Sequence, residues 1–195
     1  MRLTYAWIAL ASCLAAAPAW AAGNPEAGKA KAATCQGCHG GNGVSAIPTI
    51  PSLAGQTDQF LQWQLVFFRS GRRDNPIMSP LSQTLSDEDI RDLGAYFASL
   101  TPPAAPASDA NPTLAAAGRE VAEQRHCSAC HTEAFTGKQA AARLANQHEP
   151  YVAKALADYR SGSRPSTGVA AMTEAASGLS DDDIAALAHY ISTLK

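Results

Sequence analysis

Apolar residues along this chain recur at helical intervals, and the clearest case lies just before residue 100. Ile90, Leu93, Phe97 and Leu100 stand at i, i+3, i+7 and i+10, one face of a helix. Ser86 precedes them as a natural N-cap, and Asp87, Glu88 and Asp89 suit the positive end of the helix dipole. The same text returns near the C-terminus, where Ser180 and three Asp residues lead into Ile184, Leu187, Ile191 and Leu194. A second helix is expected from about Asp58 to Arg69, with Phe60, Leu61, Gln64, Leu65 and Phe68 towards the core. Its counterpart carries Tyr151, Val152, Ala155, Leu156 and Tyr159. A third covers about Pro25 to Thr34, and no alternating strand pattern competes with these. The fold class is all-α.

The recurrence extends to the whole chain. Leu53-Ala54-Gly55-Gln56 returns as Leu144-Ala145-Asn146-Gln147, and Arg69-Ser70-Gly71 as Arg160-Ser161-Gly162, both 91 residues later. The Leu-Ser-Asp segments lie 94 apart, which reads as a three-residue loop insertion in the second copy. Between the copies, Pro102, Pro103, Pro106 and Pro112 stand among Ala and Ser and cannot propagate a helix. The expected organisation is a domain at 23–101, a linker at 102–113 and a second domain at 114–195.

The first 22 residues read as an export signal. Arg2 supplies the positive start, and Leu3 to Ala17 are apolar but too short to span a bilayer stably. Ala19-Trp20-Ala21 offers a small-x-small cleavage site. Leu10-Ala11-Ser12-Cys13 resembles a lipobox, but the apolar stretch runs on past Cys13 to that conventional site. The mature chain is therefore expected in the periplasm.

Composition adds one puzzle. The chain has 195 residues and 46% hydrophobic content, yet 41 residues are Ala, and Leu, Ile, Val and Phe total 33. Domains this small and this poor in large side chains are marginal alone, so something else is expected to fill each core. The net charge of −2 leaves no electrostatic footprint for nucleic acid.

The cysteines answer the puzzle. Beyond Cys13 the chain has Cys35-Gln36-Gly37-Cys38-His39 and Cys127-Ser128-Ala129-Cys130-His131. Four cysteines in an exported protein would suit two disulfides or a zinc site. The His directly after each pair instead fits c-type haem attachment, in which both thiols bond the macrocycle and the imidazole reaches the iron. Two haems are expected, on Cys35, Cys38 and His39, and on Cys127, Cys130 and His131.

Each domain has one methionine, Met78 or Met172, seven residues before its Leu-Ser-Asp segment. Equivalent placement, with no other Met in either domain, points to a thioether that closes the sixth coordination position rather than to two gap-filling core methionines. His126, His148 and His189 have no partners in the first domain. They are read as a flank of the haem motif and two helix-surface residues. Arg69 and Arg160 end equivalent helices, where a cation is ordinary, and either could also meet a haem propionate. Trp63 is expected in the core.

These features resemble the dihaem cytochrome c4 family, two class I cytochrome c domains in tandem, over the whole mature chain. The closer match is in the first domain, with Gly28-Lys29-Ala30, Ile47-Pro48, Pro51, Leu53-Ala54-Gly55-Gln56 and Met78-Ser79-Pro80. The resemblance implies a bacterial periplasmic electron carrier feeding terminal oxidases, soluble or loosely held at the inner membrane. It also implies two haems facing each other across the domain interface. Its partners would be redox proteins: a membrane oxidase or reductase, or a dehydrogenase. A dihaem cytochrome subunit of a dehydrogenase, such as a flavocytochrome sulfide dehydrogenase, shares the same haem chemistry. A dihaem enzyme would need an exchangeable sixth position, against which Met78 and Met172 both argue. The second domain departs from the family in having no Pro equivalent to Pro51 and Thr132-Glu133-Ala134-Phe135 in place of Gly40-Gly41-Asn42-Gly43. A looser proximal loop is expected there.

Overall fold

The computed structural model describes residues 22–104, 111–166 and 171–194. The export segment through residue 21, with Cys13, and the middle of the linker lie outside the described residues. Among these residues the chain is helical without strands, apart from an isolated bridge between Lys138 and Ala141.

The first domain runs α1 (Pro25–Lys31), a 3-10 turn (Ala32–Thr34), α2 (Gln36–His39), α3 (Asp58–Arg69), α4 (Met78–Gln83) and α5 (Asp87–Ser99). The second runs α6 (Pro112–Gln124), α7 (Cys127–His131), α8 (Glu149–Ser161), α9 (Ala171–Ala176) and α10 (Asp181–Thr193). The acidic starts of α5 and α10 form capping boxes, Ser86 with Asp89 and Ser180 with Asp183. Ile90, Leu93 and Phe97, and Ile184, Leu187 and Ile191, are buried as the periodicity requires.

One boundary differs. Pro112 and Thr113, counted with the linker, form the first turn of α6, whose Leu114 N–H is capped by Asn111 Oδ1. Proline is well suited to a first helical turn because the N–H it lacks would have no partner there. Asn24-Pro25 opens α1 in the same way.

In each domain the first helix crosses the last, α1 over α5 and α6 over α10. Glycine permits the approach: a Cβ on Gly28 would fall on the Asp92 carbonyl, and one on Gly118 on the Ala186 carbonyl.

The repeated Leu-Ala-x-Gln segments fasten the two domains together. Gln56 Nε2 donates to the Arg143 carbonyl (2.9 Å), and Gln56 Oε1 accepts from the Arg143 N–H. Gln147 Nε2 donates to the Ser52 carbonyl (2.8 Å), and its Oε1 accepts from the Ser52 N–H (2.9 Å). Ser52 and Arg143 are themselves equivalent, so the clasp is a pseudo-twofold exchange between copies. His148 Nε2 adds a bond to the Ser45 carbonyl, and Thr57 Oγ1 one to the Ala141 carbonyl. Gln147→Ala would leave both buried Ser52 groups without partners, at about 1–3 kcal/mol. A lower unfolding midpoint by calorimetry is the expected result, with the two domains beginning to melt separately.

Candidate haem sites

Each Cys-x-x-Cys-His is carried by a short helix, α7 in the second domain and α2 with Cys35 as its N-cap in the first, where the 3-10 turn separates it from α1. Cys38 and Cys130 are exposed, Cys35 and Cys127 half-buried, and no disulfide joins any of the four. Burial raises the Cys35 and Cys127 thiols above their ordinary pKa. The imidazoles of His39 and His131 are buried, which lowers their pKa and favours the neutral ring that metal ligation needs.

The proximal hydrogen bonds correct the expectation of a loose second site. His39 Nδ1 stands 2.8 Å from the Pro51 carbonyl, and His131 Nδ1 stands 2.7 Å from the Ala142 carbonyl. A backbone acceptor does not depend on the side chain that carries it, so alanine serves where proline stood. The loop path is also reproduced. Gly43 O accepts from Leu53 and Ala54 N–H, as Phe135 O does from Leu144 and Ala145. Thr132 and Phe135 adopt φ of 71° and 53° where Gly40 and Gly43 have 82° and 75°. The second loop, one residue shorter between its His and the accepting carbonyl, therefore keeps these two turns at the cost of backbone strain in Thr132 and Phe135.

The distal segments converge on the same space. One cavity of about 1170 Å³ is bordered by Cys35, Cys38, His39 and Met78 from one domain and by Cys127, Cys130, His131 and Met172 from the other. That exceeds the roughly 300–1,000 Å³ of an ordinary small-molecule pocket. Met78 opens α4, where Asn75 Oδ1 accepts its N–H (2.9 Å). Met172 lies in α9, whose Thr173 N–H is held by Ser166 Oγ (2.9 Å).

Arg69 and Arg160 do not border this cavity. Arg69 donates to the Leu85 carbonyl (2.9 Å) and to Asp87 Oδ1 (2.6 Å), and Arg160 to Leu179 O (2.8 Å) and Asp181 Oδ1 (2.7 Å). Each ties the end of one helix to the start of the last helix in its domain. Four residues further on, Arg73 and Arg164 do border the cavity, as do Arg125 and Arg143. Arg73 and Arg164 are equivalent in the repeat, and each guanidinium lies over a ring, Phe68 at 4.4 Å or Tyr159 at 4.6 Å. Both donate to Gln64 Oε1, Arg73 within its own domain (2.6 Å) and Arg164 across the interface (3.0 Å), and Arg164 also reaches the Tyr151 hydroxyl (3.3 Å). Burial alone would raise the Tyr151 phenol, but the Arg164 and Arg73 guanidiniums outweigh it and bring its pKa to about 8.

Three further expectations change. His148 sits in the interface rather than on an open helix surface. His189 is buried on α10, with Nδ1 2.9 Å from Glu149 Oε2. Trp63 is partly exposed and lies 5.6 Å from the Phe67 ring.

Comparison with known proteins follows this geometry. Residues 115–195 match the family model for cytochrome c, and residues 23–97 the model for cytochrome c oxidase, cbb3-type, subunit III. Cytochrome c4 of Pseudomonas aeruginosa is 40% identical over 186 residues, covering 90% of this chain and 91% of that protein. The crystal structure of reduced recombinant cytochrome c4 from Pseudomonas stutzeri aligns with a TM-score of 0.82 at 34% identity, over 89% of this chain and all of that one. A thiosulfate dehydrogenase electron acceptor of Stutzerimonas stutzeri is 32% identical, covering 73% of this chain and 69% of its own length. The fold and its two haem motifs define a dihaem c-type cytochrome, an electron-transfer protein rather than an enzyme. The chain belongs to the cytochrome c4 family.

The cavity fits two such haems on its own chemistry. Gln64 Nε2, Ser82 Oγ, Arg143 Nε and Arg164 Nε are buried without a hydrogen-bond partner among the described residues, and all four residues border the cavity. Buried donors and an almost fully enclosed guanidinium (Arg164, 3% exposed) suit an anionic, acceptor-rich group such as haem propionates. The apolar remainder of the lining explains how these Ala-rich domains complete their cores.

Proposed function

We propose that this chain is an exported periplasmic carrier that passes single electrons between membrane respiratory complexes and a terminal oxidase. In this reading residues 1–22 are the export signal. Cys35, Cys38, Cys127 and Cys130 would hold the two haems covalently, and His39 with Met78 and His131 with Met172 would supply the ligands to the two irons. The haem iron, when bound, supplies the reversible one-electron couple.

The chain's own residues do the rest. The Pro51 and Ala142 carbonyls orient the proximal imidazoles and raise their basicity. Asn75 and Ser166 fix the segments that carry the methionines. Arg73 and Arg164 offset negative charge between the domains. No helix among the described residues is long and apolar enough to cross a membrane.

The observation that carries the reading is an apolar rim on the cavity. Ile77 and Leu81, flanking Met78, border it and are 57% and 48% exposed. An apolar edge beside a redox group suits brief docking to changing partners. The corresponding residues of the second domain are Ala171 and Ala175, so exchange is expected through the first domain. Mixing the reduced holoprotein with oxidase-containing membranes tests this. Rapid oxidation that depends weakly on salt is expected, and the double variant Ile77→Glu, Leu81→Glu should slow it at least several-fold. Absence of oxidation by such membranes would overturn the proposal. The similarity to thiosulfate dehydrogenase electron acceptors favours a second reading of the donor side, in which a dehydrogenase supplies the electrons.

A further inference from the structure

The two distal segments differ at one enclosed position. Ser82 follows Met78 by four residues in α4, so the two share a helix face. In α9 the same spacing from Met172 reaches Ala176. Both positions border the cavity, and both are enclosed, Ser82 at 0% exposure and Ala176 at 1%. Ala176 shows that packing at this position needs no hydroxyl.

Ser82 Oγ is buried without a hydrogen-bond partner among the described residues. A serine within a helix commonly donates to the carbonyl four residues earlier, here that of Met78, and Ser82 does not. A hydroxyl buried in that state is costly unless something accepts its proton. The other serine of α4 lacks this feature: Ser79 Oγ accepts from the Asn75 N–H at 3.0 Å. The free O–H is therefore available to the group that fills the cavity beside Met78.

We infer that Ser82 donates a hydrogen bond into the haem site of the first domain and raises the reduction potential of that haem, a tuning contact the second domain lacks. The inference rests on the placement of the first haem between His39 and Met78. The sign follows from the dipole. A donor aimed at the axial sulfur weakens its electron donation to the iron, and one aimed at a haem carboxylate offsets negative charge. Both stabilise the reduced form, and hydrogen bonding is one of the protein's means of setting haem potentials. Ser82 is a positioning and tuning residue, not a ligand.

Potentiometric titration of the intact dihaem protein tests it. In Ser82→Ala one of the two potentials should fall, with its reduced-to-oxidised ratio at fixed potential lower by about fivefold. That is about 40 mV at 59 mV per tenfold for a one-electron couple. The other potential should stay in place. Ala176→Ser should raise that other potential. Potentials unmoved in Ser82→Ala, or moved together, would overturn the inference. The near-infrared Met–iron band separates this from failure of the ligation itself: it should persist at full intensity in Ser82→Ala, whereas its absence from the unaltered protein would remove the premise.

Discussion

Met78→Ala is expected to remove about half of the near-infrared Met–iron charge-transfer intensity and to open one haem to external ligands such as cyanide. Apart from Met1, the sequence offers only Met78 and Met172 as thioethers, and both border the cavity that the buried His39 and His131 also line. Met78 is held in place by an Asn75 turn, in which Asn75 Oδ1 accepts from both Ile77 and Met78 N–H. Loss of the sulfur therefore should not be made good by a neighbouring segment. Met172→Ala should remove the other half, and the double variant all of it. The proximal bonds of 2.8 Å and 2.7 Å give no reason for the second site to release its methionine first. An unchanged band in Met78→Ala would mean that another side chain ligates the first iron.

Gly118→Val is expected to be the most damaging single change outside the haem motifs. Any Cβ at Gly118 falls on the Ala186 carbonyl, which belongs to the backbone of α10 and cannot rotate away. Either α6 must lift off α10 or both helices must bend, at about 3 kcal/mol or more. A domain has only about 5–15 kcal/mol in all, and this one has few large apolar residues to compensate. The expected result is a markedly lower unfolding midpoint for the second domain and a poor yield of protein carrying both haems. Gly28→Val should do the same to the first domain through the Asp92 carbonyl. Wild-type midpoints in these variants would contradict the close helix crossing.

The features legible in the sequence are those fixed by local rules. Ser86 and Ser180 cap their helices because capping involves only the next three residues, and the buried faces of α5 and α10 follow from the 3.6-residue period alone. The two Cys-x-x-Cys-His segments stand out because three residue types at that fixed spacing have few other uses. The arginines show the limit. Arg69 and Arg73 are both repeated 91 residues later, so repetition did not separate them. Arg69, still on α3, turns to the start of α5, while Arg73 lies beyond the Gly71 turn and faces the cavity. The choice depends on how the chain leaves the helix. Gln56 and Gln147 stood out as a repeated motif, yet their partners lie 87 and 95 residues away, and only the assembled fold shows that the motif forms the interface. The start of α6 was hidden among prolines that also make a linker. The absence of Pro51's counterpart misled for a different reason: the contact uses a carbonyl, which every residue has.

Reductive titration of the purified holoprotein tests the central claim most directly. Two covalently attached haems, each closed by His and Met, should take up two electrons per chain reversibly. The ferric and ferrous spectra should remain low-spin throughout, with no turnover of peroxide or thiosulfate. Uptake of a single electron per chain, or a high-spin haem that turns over substrate, would contradict the assignment of a two-haem carrier.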